Sequence, residues 1–325
     1  EIKHINNRTD SEISSKLLKY DSIHGKFNAD INFDKNNLII NKKKISFSKE
    51  TDLEKINWKK NNVDIVLECT GKNNSKEKSI HHIKNGAKKV IVSAPCKNAD
   101  KTIVYGINHK LINNKDLVIS AASCTTNCLA PVAFVINNIF KIENAFMTTI
   151  HSYTTDQRLL DNSHKDLRRA RSAAQSIVPT STGASKALGE IIPDLKGKVE
   201  GLAMRVPTPN VSLVDLVFTS KTKLSVKTIN ESFKNASKKE LKNILATTEE
   251  KLVSIDFNHN SNSAIVDLSL TNVVGDKMGK ISAWYDNEWG FASRMCDLAE
   301  YIHKIWFFMK NISDKSIVLK GKRVL

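Results

Sequence analysis

Cys124 stands in a stretch of small and hydroxyl-bearing residues, Ala121-Ala122-Ser123-Cys124-Thr125-Thr126-Asn127-Cys128-Leu129-Ala130-Pro131. The apolar run Leu117-Val118-Ile119 before it reads as a buried strand. Val132, Val135, Ile136, Ile139 and Phe140 after it are spaced like one face of a helix. Ser123 fits the N-cap, which puts Cys124 in the first turn. Unpaired backbone N–H groups and the positive end of the helix dipole favour a thiolate there. A free thiol has a pKa of about 8.5, and such a position lowers it by about a unit or more. A cysteine merely buried at a strand end would not need the hydroxyls and the amide gathered around this sulfur. The chemistry such a group offers is nucleophilic attack on an electrophilic carbon.

Five later segments are rich in polar and basic residues: His-Ser-Tyr-Thr-Thr-Asp-Gln (151–157), Ser-His-Lys-Asp-Leu-Arg-Arg-Ala-Arg (163–171), Pro-Thr-Ser-Thr-Gly-Ala-Ser-Lys-Ala (179–187), Met-Arg-Val-Pro-Thr-Pro-Asn-Val-Ser (204–212) and Trp-Tyr-Asp-Asn-Glu-Trp-Gly (284–290). With the cysteine segment they resemble, in order and spacing, the phosphorylating glyceraldehyde-3-phosphate dehydrogenases, over roughly residues 1 to 305. The resemblance implies that Cys124 attacks the aldehyde of glyceraldehyde 3-phosphate to give a hemithioacetal. His151 then takes the hydroxyl proton as hydride leaves for NAD or NADP, and inorganic phosphate releases the thioester as 1,3-bisphosphoglycerate. An imidazolium at His151 would depress the thiol further. The oxyanion would be met by the Cys124 N–H and protonated His151.

By the same resemblance Thr154 and Arg205 hold one phosphate, and Ser123, Thr125, Thr182, Gly183 and Arg169 hold the other. Guanidinium forks and hydroxyls suit both anions, and spacing alone does not choose between Arg169 and Arg171. Thr70, Gly71 and Ser93 would line the cofactor, with Asn287 bonding the nicotinamide amide. Asn7 and Arg8 fall where the family usually has an acid on the ribose hydroxyls. Losing that charge opens the site to a 2′-phosphate and so to NADP, whereas Val178-Pro179 resembles NAD-using members. No metal is implied: Cys124 and Cys128 are four apart without a further ligand at metal spacing, so Cys128 is expected in the core. Erythrose-4-phosphate dehydrogenases share the Cys–His pair, and an inactive basic binding protein of the same fold is the reading from outside enzymology.

The elements that must position these groups fall into two patterns. From residue 1, strand signals at Glu1–Asn7, Leu38–Ile40, Val63–Cys69 and Lys88–Pro95 alternate with helical stretches such as 76–87, the mark of a parallel sheet with crossover helices. After the cysteine helix come longer strands, near 145–150, 211–219, 264–270 and 280–284. Together these predict an α/β chain with a Rossmann-type doubly wound domain (1–123) and an α+β catalytic domain with a mostly antiparallel sheet (124–287). Met295, Leu298, Ile302 and Ile305 lie at helical spacing in a segment (288–308) that should return to the first domain. The polar stretch of about 153–175 is long for a compact domain and so reads as functional. The resemblance has it lining a neighbouring subunit's cofactor site, which implies a homotetramer.

No G-x-G-x-x-G occurs among the 12 glycines. The resemblance therefore implies that a first strand, Gly-rich turn and helix precede residue 1, in a chain cut or started late. Residues 309–325 instead resemble the start of a phosphoglycerate kinase, the enzyme that acts next on the product. The 325 residues carry a net charge of +16, but the lysines are dispersed among Asn and Ile with no interleaved aromatics. That pattern argues against specific nucleic-acid binding and for a field that draws phosphorylated substrates. Five cysteines, an odd number in a long chain, read as reduced thiols of a cytoplasmic protein. No apolar run approaches the ~20 residues of a membrane span.

Overall fold

The computed structural model describes the backbone of residues 1–321 and the side chains of residues 1–306. The chain begins with β1 (His4–Asn6) and α1 (Ser11–Lys19), whose N-cap Asp10 accepts from the Ile13 N–H. A short hairpin follows, β2 (Tyr20–Asp21) with β3 (Gly25–Lys26), and then a meander of β4 (Ile31–Asp34), β5 (Asn37–Ile40) and β6 (Lys43–Ser48). β1 pairs in parallel with β6, giving a four-stranded sheet in the order β1-β6-β5-β4. The sequence reading anticipated only the middle strand of this meander. Lys, Asn and Asp dilute the alternation in β4 and β6, where one face meets solvent.

A second four-stranded sheet is wholly parallel. It comprises β7 (Ile65–Glu68), β8 (Lys89–Val92), β9 (Lys101–Thr102) and β10 (Val118–Ser120), in the order β7-β8-β10-β9. Helix α2 (Lys76–Lys84), capped by Ser75, crosses from β7 to β8. This is the parallel unit that the alternation of elements predicts.

α3 (Cys124–Phe140) leaves the end of β10 and leads into the large sheet. That sheet contains β11 (Ile142–Ser152), β12 (Val178–Ser181), β13 (Val199–Val206), β14 (Ser212–Ser220), β15 (Leu245–Thr248), β16 (Ala264–Asp267), β17 (Asn272–Val274) and β18 (Met278–Tyr285). Its order is β12-β13-β11-β14-β18-β16-β15, with β17 on β18, and it is mostly antiparallel apart from the parallel pairs β11·β13 and β15·β16. Helices α4 (Ala184–Ile191) and α5 (Val226–Lys238) join α3 against it. The shared core holds Cys128, Leu129, Val132 and Ile136 of α3 against Val214, Phe218, Ile281 and Ala283. Each such aliphatic side chain, fully buried, contributes about 1.5–3 kcal/mol. Cys128 therefore packs as core. Ile139, expected on the inner face of α3, is 50% exposed, whereas Ile136, Asn137 and Phe140 in the same last turn are buried, so the buried face there lies to one side of Ile139.

The last helix, α6, spans Trp289–Gly321 and so continues past residue 308. Met295, Leu298 and Ile302 pack with Ile91 and Ile119 of the parallel sheet and with Ile103 just after β9, the return that their spacing predicts. Of the kinase-like segment 309–325, the side chains and residues 322–325 lie outside the described residues. Among the described residues no helix is long and apolar enough to cross a membrane.

Candidate active site

Two backbone features deliver Cys124. Ala122, fully buried, sits at φ +59°, a strained conformation that turns the chain sharply between β10 and α3. Ser123 then caps the helix, its Oγ accepting from the Thr126 N–H at 3.1 Å. Cys124 is thereby the first residue of α3, partly open to solvent, over the end of the large sheet. Alternation along β11 puts Met147, Thr149 and His151 on the buried face. His151 Nε2 lies 3.4 Å from Cys124 Sγ.

The ring of His151 is fixed from its other side. Nδ1 faces two groups of opposite demand, the Ser152 carbonyl at 2.7 Å, which can only accept, and the Arg205 guanidinium, which can only donate, and between them they clamp the ring with Nε2 turned to the thiol. Arg205 Nη1 donates to the same carbonyl at 2.9 Å and comes within 2.8 Å of Nδ1. The register explains the meeting, because His151 and Arg205 are directly paired across the parallel β11·β13 ladder. Tyr285 of β18 lies beneath the pair, fully buried. Its hydroxyl is bonded to Thr125 Oγ1 at 3.0 Å and Thr149 Oγ1 at 2.8 Å, and its ring stands edge-on to His151.

The electrostatics correct one expectation. Burial, and after it the Arg205 guanidinium, lowers His151 from the ordinary 6.5 to about 3. Burial thus favours the neutral ring and works against the imidazolium that would depress the thiol. Cys124 keeps part of its surface open, yet the desolvating walls push its pKa up, against the downward pull of Arg205 and Thr125. The helix N-terminus does not outweigh that desolvation. Stability carries the same signature. Between pH 6.5 and 3 the unfolded chain binds a proton that the folded His151 refuses, so this contribution is complete above pH 6.5 and is lost as pH falls toward 3. Thermal melts should show stability falling by up to ~1.4 kcal/mol per pH unit in that window from this group. His151→Asn should flatten that part of the curve.

The other candidate residues gather unevenly. Arg169 is held by Asp156, Asp166 and Thr180, on the β12 side where the Arg205 strand also runs, whereas Arg171 is 68% exposed and paired with Asp161 at the surface. Thr182 Oγ1 accepts from the Ala184 N–H at the start of α4, where Gly183 is the N-cap with open space around its Cα. Thr154 is half-buried just after β11. Thr70 and Gly71 follow β7 and Ser93 follows β8, all at the carboxyl ends of the parallel strands, where ligands bind in such sheets. Asn287 is buried with its Oδ1 accepting from Ser212 Oγ at 2.8 Å. Its neighbour Val211, a β-branched residue at φ +66°, has a carbonyl that accepts from Ser152 Oγ. Asn7 and Arg8 are exposed beyond β1, with Asn7 bonded to Ser14.

Sequence reasoning passed over Tyr285, Ser152 and Asp156. The first sits in the Trp-Tyr-Asp-Asn-Glu segment, and alternation along β18 could have turned it inward with Ile281 and Ala283. The Ser152 carbonyl carries no sequence signal. Among the described residues no group of three His, Cys, Asp or Glu side chains is placed to hold a metal.

A parallel sheet feeding a thiol–imidazole pair beside a basic fork defines a site for thiol-based nucleophilic catalysis on an anionic substrate. Comparison with known proteins gives the particular group. Residues 1–76 match the family model described as glyceraldehyde 3-phosphate dehydrogenase, NAD binding domain, and residues 123–287 match the corresponding C-terminal domain. The glyceraldehyde-3-phosphate dehydrogenase of Geobacillus stearothermophilus is 51% identical over 303 residues, 93% of this chain and 90% of that one. Glyceraldehyde-3-phosphate dehydrogenase 1 of Bacillus subtilis is 50% identical over 306 residues, with 94% and 91% covered. Glyceraldehyde-3-phosphate dehydrogenase 2 of Trichormus variabilis is 49% identical over 308 residues, also with 94% and 91% covered. The chain belongs to the glyceraldehyde-3-phosphate dehydrogenase family.

Proposed function

We propose that the chain oxidises and phosphorylates D-glyceraldehyde 3-phosphate to 1,3-bisphosphoglycerate, with Cys124 as nucleophile and His151 as base. The observation that carries this reading is the 3.4 Å contact between Cys124 Sγ and His151 Nε2. As Cys124 attacks the aldehyde carbon, His151 accepts the thiol proton and returns it to the new alkoxide. The hemithioacetal hydroxyl then gives its proton back to Nε2 when hydride departs. A neutral imidazole suits this work, since it must take protons. The Cys124 backbone N–H, free at the first turn, faces the oxyanion. Arg205 has a buried Nε without a partner beside this centre, a donor that fits a substrate phosphate. Arg169 is favoured over Arg171 for the attacking phosphate because it is 20% exposed on the β12 side, next to the Arg205 strand, whereas Arg171 is 68% exposed at the surface; Ser123, Thr125, Thr154, Thr182 and Gly183 supply further donors.

The cofactor's donor set also fits. Thr70, Gly71 and Ser93 line strand ends, and Ser212 orients Asn287 so that its amide N–H is left for a nicotinamide carboxamide. When bound, the nicotinamide accepts the hydride. Asn7 and Arg8 support use of NADP beside NAD. The exposed Leu159, Leu160 and Leu167 in the polar loop support a homotetramer. Five free cysteines support a cytoplasmic setting.

The test is absorbance at 340 nm with glyceraldehyde 3-phosphate and NAD or NADP, with and without inorganic phosphate. Phosphate-dependent reduction is the expected result. Faster, phosphate-independent turnover of erythrose 4-phosphate would overturn the choice of substrate, and absence of any reduction would overturn the reading as a whole.

A further inference from the structure

Glu68, the last residue of β7, is 3% exposed and accepts four hydrogen bonds. Its Oε1 takes the Thr70 N–H at 2.8 Å and the Thr70 hydroxyl at 2.5 Å. Its Oε2 takes the Asn73 amide and the His82 Nε2–H, each at 2.9 Å. The proton on His82 is assigned by its neighbour: Trp58 Nε1–H donates to Nδ1 at 3.1 Å, which leaves Nε2 to carry the hydrogen toward Glu68. His82 and Trp58 are themselves buried. The Glu68 carbonyl meanwhile accepts from the Ser93 N–H at 3.0 Å.

Burial alone would raise this carboxyl. The bonds from His82, Thr70 and Asn73 prevail and hold it at about 2, so the group is a buried anion. A buried ion is a poor source of stability, because well-packed apolar groups commonly do as well or better. What this one supplies is conformation. Two of its partners, Thr70 and Asn73, lie in one turn that also contains Gly71 at φ +70°. A third, His82, comes from α2, and the backbone carbonyl of Glu68 holds Ser93.

We propose that Glu68, with His82 and Trp58 behind it, is a positioning relay that sets the Thr70–Asn73 turn for the cofactor. The proposal rests on the reading above that Thr70 and Gly71 line the cofactor. The relay acts through the turn and touches no reacting atom. It also commits the Thr70 hydroxyl inward, so Thr70 serves the cofactor through its backbone.

Steady-state kinetics of the full chain test this. Glu68→Gln keeps the shape but sets an amide N–H against the donors. It should raise KM for NAD about tenfold, the scale of one lost charge-assisted bond, with KM for the aldehyde and kcat within about twofold. His82→Leu should do the same, and His82→Gln, which keeps a donor toward Glu68, should restore most of the loss. Gly71→Val strains the turn directly and reports on the underlying reading. If Gly71→Val leaves KM for NAD unchanged, the cofactor-lining assignment fails. If Gly71→Val raises it while Glu68→Gln does not, or Glu68→Gln shifts both KM values and kcat together with the melting temperature, the relay is only structural and the proposal falls.

Discussion

Cys124→Ser is expected to lower kcat by about a thousandfold or more while leaving the melting temperature within a few degrees of the parent. The oxygen occupies nearly the same volume at the first turn of α3, so the Ser123 cap and the strained Ala122 before it are undisturbed. What is lost is a soft nucleophile that can later leave from an ester-like intermediate. The sharper observation is covalent. With glyceraldehyde 3-phosphate and NAD present and phosphate withheld, the parent chain should accumulate an acyl group on Cys124, visible as a mass increase of the intact protein. The serine variant should show no such increase. A variant that retained a tenth of the activity would mean that the thiol is not the group that is acylated.

His151→Asn is expected to cost about a hundredfold to ten-thousandfold in kcat, the range for a positioned acid–base group. Asparagine can keep a contact with the Ser152 carbonyl but cannot accept the hydroxyl proton. Because His151 is neutral at rest, the loss should not be recovered anywhere between pH 6 and 8. KM for the aldehyde should move little, since Arg205 is placed by the Ser152 carbonyl as well as by the ring. A large rise in KM with kcat preserved would recast His151 as a binding residue.

Much of this arrangement could be read from the chain itself. Ser123 before an apolar 3.6-residue pattern gave the helix start, and the stripe at Met295, Leu298 and Ile302 gave its docking on the parallel sheet. Cys128 reached the core as its lack of co-ligands suggested. The charge states were not legible. A local argument from the helix N-terminus pulls the Cys124 thiol down, whereas burial pushes it up, because desolvation depends on walls contributed by β11, β13 and β18. Nor could two positions in one loop disclose that Arg169 turns inward to Asp156 and Thr180 while Arg171 stays at the surface on Asp161. The meander of β4 to β6 was hidden for another reason: a half-solvated strand of Lys and Asn carries too little apolar alternation to announce itself.

The pairing of His151 with Arg205 across β11 and β13 also bears on how the chain comes into being. Their ladder is parallel, so it cannot close by a tight hairpin; the polar loop, β12 and α4 must be made first. Contacts so distant in sequence form slowly. On the ribosome Cys124 therefore emerges well before either residue that will govern it, and α3 can exist as a helix while its sulfur has no base or guanidinium beside it. A newborn chain is a thiol protein before it is an enzyme. The sulfur gains its full enclosure only when β18 has brought Tyr285 beneath it.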